Sequence, residues 1–230
     1  MMISPESYYD MNLKGKNAEQ IMSAIRGLKN EIGHLKNIME HPDYGSEPIA
    51  CPSESTRLRC TREYLERAKV ALLEAGGEYK LSQAELKAKE FDNKLSAIGK
   101  IVFTIGGFFG GYETRTISFD DEELQVSVQH SLSIEPEVTS VALLLPYTKG
   151  EFLDELNSLH IGEWRSKYNL RRFGCEVFDG TQWELEIHYT NGAKPFKTYG
   201  DNAYPYNFDE FKELLGIDSS IDEEEDDEQI

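Results

Sequence analysis

The chain has 230 residues, of which 39% are hydrophobic and 29% charged, a balance that excludes wholesale disorder and leaves room for one or two domains with real cores. Lys and Arg number 24 against 42 Asp and Glu, for a net charge of -18, which sets the chain against binding a polyphosphate through bulk electrostatics. Collagen-like, coiled-coil-only and disulfide-scaffold classes are excluded too. The three cysteines, Cys51, Cys60 and Cys175, lie far apart with no CxxC pair, which fits a reducing cytosol better than a secreted framework.

The charge is uneven along the chain. Residues 1–98 are nearly neutral at -1 and residues 99–217 carry -9, while residues 218–230 hold 8 acids and no base. The run from Asp222 to Glu228 is too self-repelling to pack and reads as a disordered tail. Pro5, Glu6 and Asp10 precede any apolar stretch, so no signal peptide is expected. The longest purely aliphatic run, Val141 to Leu145, is far below the roughly 20 residues that span a bilayer, and a cytoplasmic protein with no membrane contact is the expectation.

Ser4 followed by Pro5 has the form of an N-cap and first helical residue, so a short helix is expected through Tyr8 towards Leu13, stopped by Gly15. Ile21, Ile25, Leu28, Ile32, Leu35 and Met39 then step by four and three and keep one helical stripe, with Asn17 and Gln20 spaced as a capping pair. That predicts a helix from about Ala18 to Glu40. After a loop from His41 to Ser55, Leu58, Thr61, Leu65, Ala68, Leu72 and Ala75 repeat the spacing until Gly76 and Gly77 end it, which makes an antiparallel helical hairpin. Ser82 and Glu85 open a third helix striped by Ala84, Ala88, Phe91, Leu95 and Ile98.

Beyond Gly99 the period becomes two. Strands are predicted at Lys100–Ile105, Tyr112–Phe119, Leu124–His130 and Thr139–Leu145, then a helix capped by Thr148 and Glu151 and one more helical turn holding Trp164 and Tyr168. Asn191-Gly192 is a strong hairpin signal and pairs Ile187 with Phe196, Glu186 with Lys197 and Trp183 with Gly200. A loop at Gly180 would pair Cys175 with Trp183, Phe173 with Leu185 and Arg172 with Glu186. Both registers turn Phe173, Cys175, Val177, Trp183, Leu185, Ile187, Tyr189 and Phe196 inward, with Pro195 on an edge strand. Asn207 with Glu210 caps a last helix that buries Phe208, Phe211 and Leu214.

The expected fold is therefore α+β: a helical module over 1–98, an antiparallel sheet domain with two short helices over 99–217, and an acidic tail over 218–230. The segments SPESYYDMNLKGKNAEQI, GGFFGGYETRTI and DGTQWELEIHYTNG, with YGDNAYPYNF after them, resemble a family of proteins from gut Gram-positive bacteria associated with conjugative elements and prophages. The resemblance runs to about Ile217. It implies a bacterial, accessory, cytoplasmic protein and brings no chemistry or catalytic residues with it.

Glu184, Glu186 and His188 alternate on one strand face, with Glu176 on the neighbouring strand, a set suited to a divalent metal or acid–base work. The competing reading is a solvated sheet face, because Arg172 and Lys197 flank Glu186 in the derived registers. Gly106-Gly107-Phe108-Phe109-Gly110-Gly111 lacks the helix and the Lys-Ser or Lys-Thr of a phosphate loop, and reads as a bulged hairpin or an aromatic contact loop through Phe108 and Phe109. His34, His41, Cys51 and Cys60 lack paired zinc spacing, and Cys175 has no histidine placed beside it. Arg57, Arg59, Arg62 and Arg67 gather positive charge on the second helix, though Arg59 to Glu63, Arg62 to Glu66 and Glu63 to Arg67 are ordinary four-residue pairs. Tyr204 and Tyr206 flank Pro205 in a turn suited to contact a partner or simply to redirect the chain.

The function these observations favour is a non-enzymatic protein-interaction role, with no cofactor, no direct nucleic-acid contact and weak candidate contacts at Phe108, Phe109, Tyr204, Tyr206, Arg57, Arg59 and Arg62. The alternatives are an acidic mobile-element inhibitor occupying a basic nucleic-acid-binding site of a host or defence protein, and a metal-dependent enzyme built on Glu184, Glu186 and His188.

Overall fold

The computed structural model describes residues 2–46, 51–107, 110–120, 123–131, 141–143, 145–175 and 180–217. Phe108, Phe109, Glu176, Val177 and the acidic run 218–230 lie outside them. The chain forms two compact units, Met1–Ser82 and Gln83–Ile230.

The first unit is helical, and its helices begin where the capping chemistry places them. Ser4 Oγ accepts from Ser7 N at the start of α1 (Pro5–Asn12). Asn17 and Gln20 cap α2 (Ala18–Met39) reciprocally, and Ser53 Oγ accepts from Thr56 N ahead of α3 (Glu54–Glu74). Each such cap satisfies donors that the first turn leaves without a helical partner. Ile21, Ile25 and Leu28 of α2 meet Leu65, Ala68 and Leu72 of α3 in one apolar cluster that also takes Leu13 and Cys60, each large aliphatic residue contributing roughly 1.5–3 kcal/mol by leaving water. Arg57 at the start of α3 pairs with Glu31 late in α2 at 2.7 Å, so the two helices run antiparallel. α1 lies on α3 through stacked Tyr8 and Tyr64 rings, 4.5 Å between centroids.

In the second unit α4 (Gln83–Asp92) leads through a 3-10 turn at Leu95–Ala97 into β1 (Ile98–Gly107), β2 (Gly111–Asp120), β3 (Glu123–Ser131) and β4 (Val141–Leu143). α5 (Lys149–Ser158), β5 (Lys167–Asn169), β6 (Gln182–Tyr189), β7 (Phe196–Asp201) and α6 (Phe208–Leu214) follow. Thr148 and Glu151 form the expected capping box on α5. The strands make one seven-stranded sheet in the order β4-β3-β2-β1-β6-β7-β5, antiparallel everywhere except between β5 and β7.

Periodicity assigns residues 83–98 to the helical module, whereas the boundary between compact units falls after Ser82. α4 packs within the sheet unit because its buried Phe91 meets Phe196 edge to face at 5.0 Å and Lys87 Nζ donates to Trp164 O at 3.2 Å. The expected helical turn at Trp164 and Tyr168 is absent: Trp164 is extended and Tyr168 sits in β5, parallel to β7.

The Asn191-Gly192 hairpin has the register expected of it, with Ile187 opposite Phe196, Glu186 opposite Lys197 and Trp183 opposite Gly200. On its other side, however, β6 pairs with β1, Ile187 opposite Ile101 and Trp183 opposite Ile105. The expected pairing of Arg172, Phe173 and Cys175 with β6 is therefore displaced. Leu170–Phe173 is a 3-10 turn closed by Gly174 at φ 76°, Cys175 is exposed rather than in the core, and Arg172 lies 4.6 Å from the Phe173 ring instead of beside Glu186. The physical reason is the partner on offer: β1 gives β6 eight paired residues and an apolar row of Ile101, Phe103 and Ile105 on the same face, so cross-strand burial there outweighs a short local hairpin.

The core lies on the inward face, where α6, α5 and the turn before β5 cover the sheet. Phe103 and Trp164 meet Phe211 at 5.3 and 5.2 Å, and Trp183 meets Phe208 at 4.9 Å, separations at which aromatic rings attract beyond their area burial. Asn207 does not cap α6 with its side chain. It lies buried in this cluster, accepting from Trp164 Nε1 at 3.0 Å and donating Nδ2 to Leu159 O at 2.6 Å. Satisfying a buried indole N–H and a backbone carbonyl together is worth more than a cap, because either group left alone in the core keeps its full desolvation cost. Asn207→Ala should accordingly lower unfolding stability by roughly 1–3 kcal/mol. Asn207→Ser, which preserves N-cap chemistry but is too short to bridge both partners, should give no rescue in urea denaturation; full rescue by Ser would show that capping is the residue's role.

Candidate functional site: a cleft on the outer sheet face

Alternation along β6 decides what the outer face carries. Trp183, Leu185 and Ile187 are 2%, 0% and 0% exposed, so Gln182, Glu184, Glu186 and His188 must project the other way. Two cross-strand rows result. One runs Thr114, Thr104, Glu184, Tyr199 and Lys167, and the next runs Tyr112, Gly106, Gln182, Asp201 and Asn169. No described residue of either row is buried.

Gly106 leaves the second row without a side chain at its centre. A Cβ there would stand 2.1 Å from Gly111 O and 2.7 Å from Tyr112 Cα, so no other residue fits. The same face carries a cleft of about 510 Å³ lined by Thr104, Tyr112, Lys167, Gln182, Glu184, Tyr199 and Asp201 over the backbone of Trp183 and Gly200. Tyr112 Oη donates across the gap to Gln182 Oε1 at 3.1 Å, and the two threonine hydroxyls of the first row hydrogen-bond at 3.0 Å. The Lys167 ammonium stands 5.6 Å from the centroid of the Tyr199 ring, a cation–π arrangement. Asp201 Oδ1 accepts from Asn202 Nδ2 at 2.9 Å. Glu184 has no hydrogen-bond or ion-pair partner among the described residues.

Glu186, two residues along the same strand, differs. Its carboxylate accepts from Lys197 Nζ on β7 and lies 3.1 Å from His188 Nε2. The Lys197 hydrogen bond holds Glu186 below the usual carboxylate range against the opposing effect of partial burial, and His188 adds to the lowering. Glu184, Glu186 and His188 thus share a face as expected, but Glu186 is neutralised by its neighbours, and among the described residues no group of three or more His, Cys, Asp or Glu comes together to hold a metal ion.

The other candidates are dispersed. Arg57 pairs with Glu31 and Arg59 with Glu63 at 3.3 Å, while Arg67 turns to Glu6 at 3.1 Å and to the Tyr9 ring rather than to Glu63. Arg62 is half-buried on α3. Tyr204 and Tyr206 are half-buried rather than exposed, Tyr204 packing on Phe208 at 4.8 Å. Cys60 is in the helical core, and His41 Nδ1 accepts from Asp43 N. Sequence reasoning missed Thr104, Tyr112, Gln182, Tyr199, Asp201 and Lys167 as a group. The hairpin register already placed Tyr199 beside Glu184, but the partnership of β1 with β6, which brings in Thr104 and Tyr112, leaves no local signal.

Compared with known proteins, the chain matches no family model, no curated protein and no solved structure.

Because the folded state lowers the Glu186 pKa, the Lys197 interaction stabilises the fold above the unfolded carboxylate range and is lost as pH falls through the folded value. Glu186→Gln should cost about 0.2–1 kcal/mol at neutral pH, the range for a partly exposed pair. The gap between its denaturation midpoint and that of the unsubstituted protein should begin to close as pH falls below the unfolded carboxylate value of about 4.3; a constant gap down to about pH 3 would contradict the assignment.

Proposed function

We propose that this chain is a non-enzymatic protein-interaction protein whose contact surface is the outer sheet face, anchored at the cleft and matched to a basic protein segment. The observation that carries the reading is Glu184, a carboxylate without a partner among the described residues, set in a cleft beside the 46% exposed Tyr199 ring. Tyrosines supply large, stiff contact area with a polar tip and are enriched where proteins meet. A chain of net charge -18 attracts basic partners and repels polyphosphates. Among the described residues no helix is long and apolar enough to cross a membrane. All three cysteines are free, which supports a reducing, cytoplasmic setting.

A photo-cross-linking residue in place of Tyr199, expressed in the native host, should capture a discrete basic protein that mass spectrometry identifies. Capture should weaken on Glu184→Gln and survive deletion of residues 218–230. Capture that vanishes with the tail alone would reduce the interaction to nonspecific attraction, and substrate turnover abolished by Glu184→Gln would replace the reading with catalysis.

A further inference from the structure

Resting on that reading, we propose that the cleft recognises an arginine side chain presented by a polypeptide. Besides hydroxyl groups, its lining offers the carboxylates of Glu184 and Asp201 and the amide oxygen of Gln182, which also accepts from Tyr112. Glu184 stands opposite Tyr199 and Gln182 opposite Asp201, which makes Glu184 and Asp201 diagonal neighbours on adjacent strands, roughly 7–8 Å apart at the backbone. A flat cation entering between them meets one carboxylate on each side. A guanidinium has five N–H donors in a fixed plane and offers two edges at once, whereas an ammonium is a compact point charge with three rotatable donors. The acceptors are thus spread to suit the fork.

The cation already present sharpens the choice. Lys167 occupies one flank, over Tyr199, so an incoming positive group enters on the other, towards Gln182 and Asp201. The Tyr112 ring lines the same cleft, and stacking on an aromatic ring is open to a planar guanidinium and poor for a tetrahedral ammonium. The lining holds two carboxylates and one ammonium, and a single arginine brings it to neutrality. The cleft is open to solvent along Tyr199, which suits a side chain delivered from a bound segment. Free arginine would bring its own carboxylate up to an acidic surface.

The test uses the full chain and the peptide acetyl-Gly-Gly-Arg-Gly-Gly-amide, with lysine and citrulline counterparts and free L-arginine, at about 0.15 M salt so that diffuse attraction is screened. Amide chemical shifts should move saturably at Gly106, Gln182, Glu184, Tyr199 and Asp201 with the arginine peptide. Citrulline, which keeps the shape and loses the charge, should bind at least roughly tenfold more weakly, and lysine and free arginine should fall between. Glu184→Gln should weaken the arginine peptide by a similar factor, while Glu210→Gln, an equal charge change on the exposed side of α6, should leave it unchanged. Equal binding of arginine and lysine peptides, equal loss in the two variants, or tighter binding of free arginine would overturn the inference. Failure of the arginine peptide alongside continued Glu184-dependent cross-linking from position 199 would remove the arginine specificity and leave the interaction role standing; failure of both would remove both.

Discussion

The outer face of the sheet is set by what lies beneath it. Trp183, Leu185 and Ile187 are almost entirely withdrawn from water, and because side chains on a strand alternate, a slip of one residue would push all three outward and drag Glu184 and Glu186 into the core. The neighbours enforce the same choice, since Ile101 and Phe103 on β1 and Thr198 and Gly200 on β7 also face inward. With three strands agreeing on register, the outward row has no freedom of placement. The cleft follows from that row and from the two tyrosines that line it, Tyr112 and Tyr199.

The floor is held from below as firmly as from the side. A Cβ at Gly200 would lie 2.3 Å from Trp183 Nε1, so glycine there lets the indole pack directly under β7, where its N–H reaches Ala203 O at 3.0 Å. Trp164 finds its own acceptor in Asn207. The two large amphipathic rings are thus buried without leaving a donor unsatisfied, which fixes the loops before β5 and after β7 to the sheet. At the far end of α6, Arg115 donates to Leu215 O at 2.7 Å while paired with Glu113, placing positive charge where the helix dipole favours it. A surface built over such a frame loses little conformational freedom on contact, which is the circumstance in which a modest number of polar groups gives useful affinity.

Most of the helical unit was legible in the sequence, because helix stripes and caps are local. Asn17 with Gln20 and Ser4 with Pro5 act within a few residues and do what their spacing says. The β6–β7 hairpin was legible for the same reason, Asn191-Gly192 dictating a register that its flanking alternation confirms. What escaped was non-local. β1 precedes β6 by some eighty residues of chain, and nothing near Phe173 or Cys175 announces that β6 already has a better partner. Asn207 carried a correct helix-start signal, yet its side chain was taken by Trp164, forty-three positions away. The cleft shares this character, drawing on β1, β2, β5, β6 and β7 together.

Net charge alone is a poor guide to where this protein acts, and the two glutamates of β6 show why. Both point outward from one strand, and both would enter a tally of acidic residues equally. Glu186 stands opposite Lys197 and beside His188, so its charge is spent on holding β6 to β7. Glu184 stands opposite Tyr199 and Thr104, neither of which carries a charge. The difference lies in the cross-strand neighbour, a property of register and not of composition. On this sheet the carboxylate without a hydrogen-bond or ion-pair partner among the described residues is Glu184, and not Glu186 two residues further along.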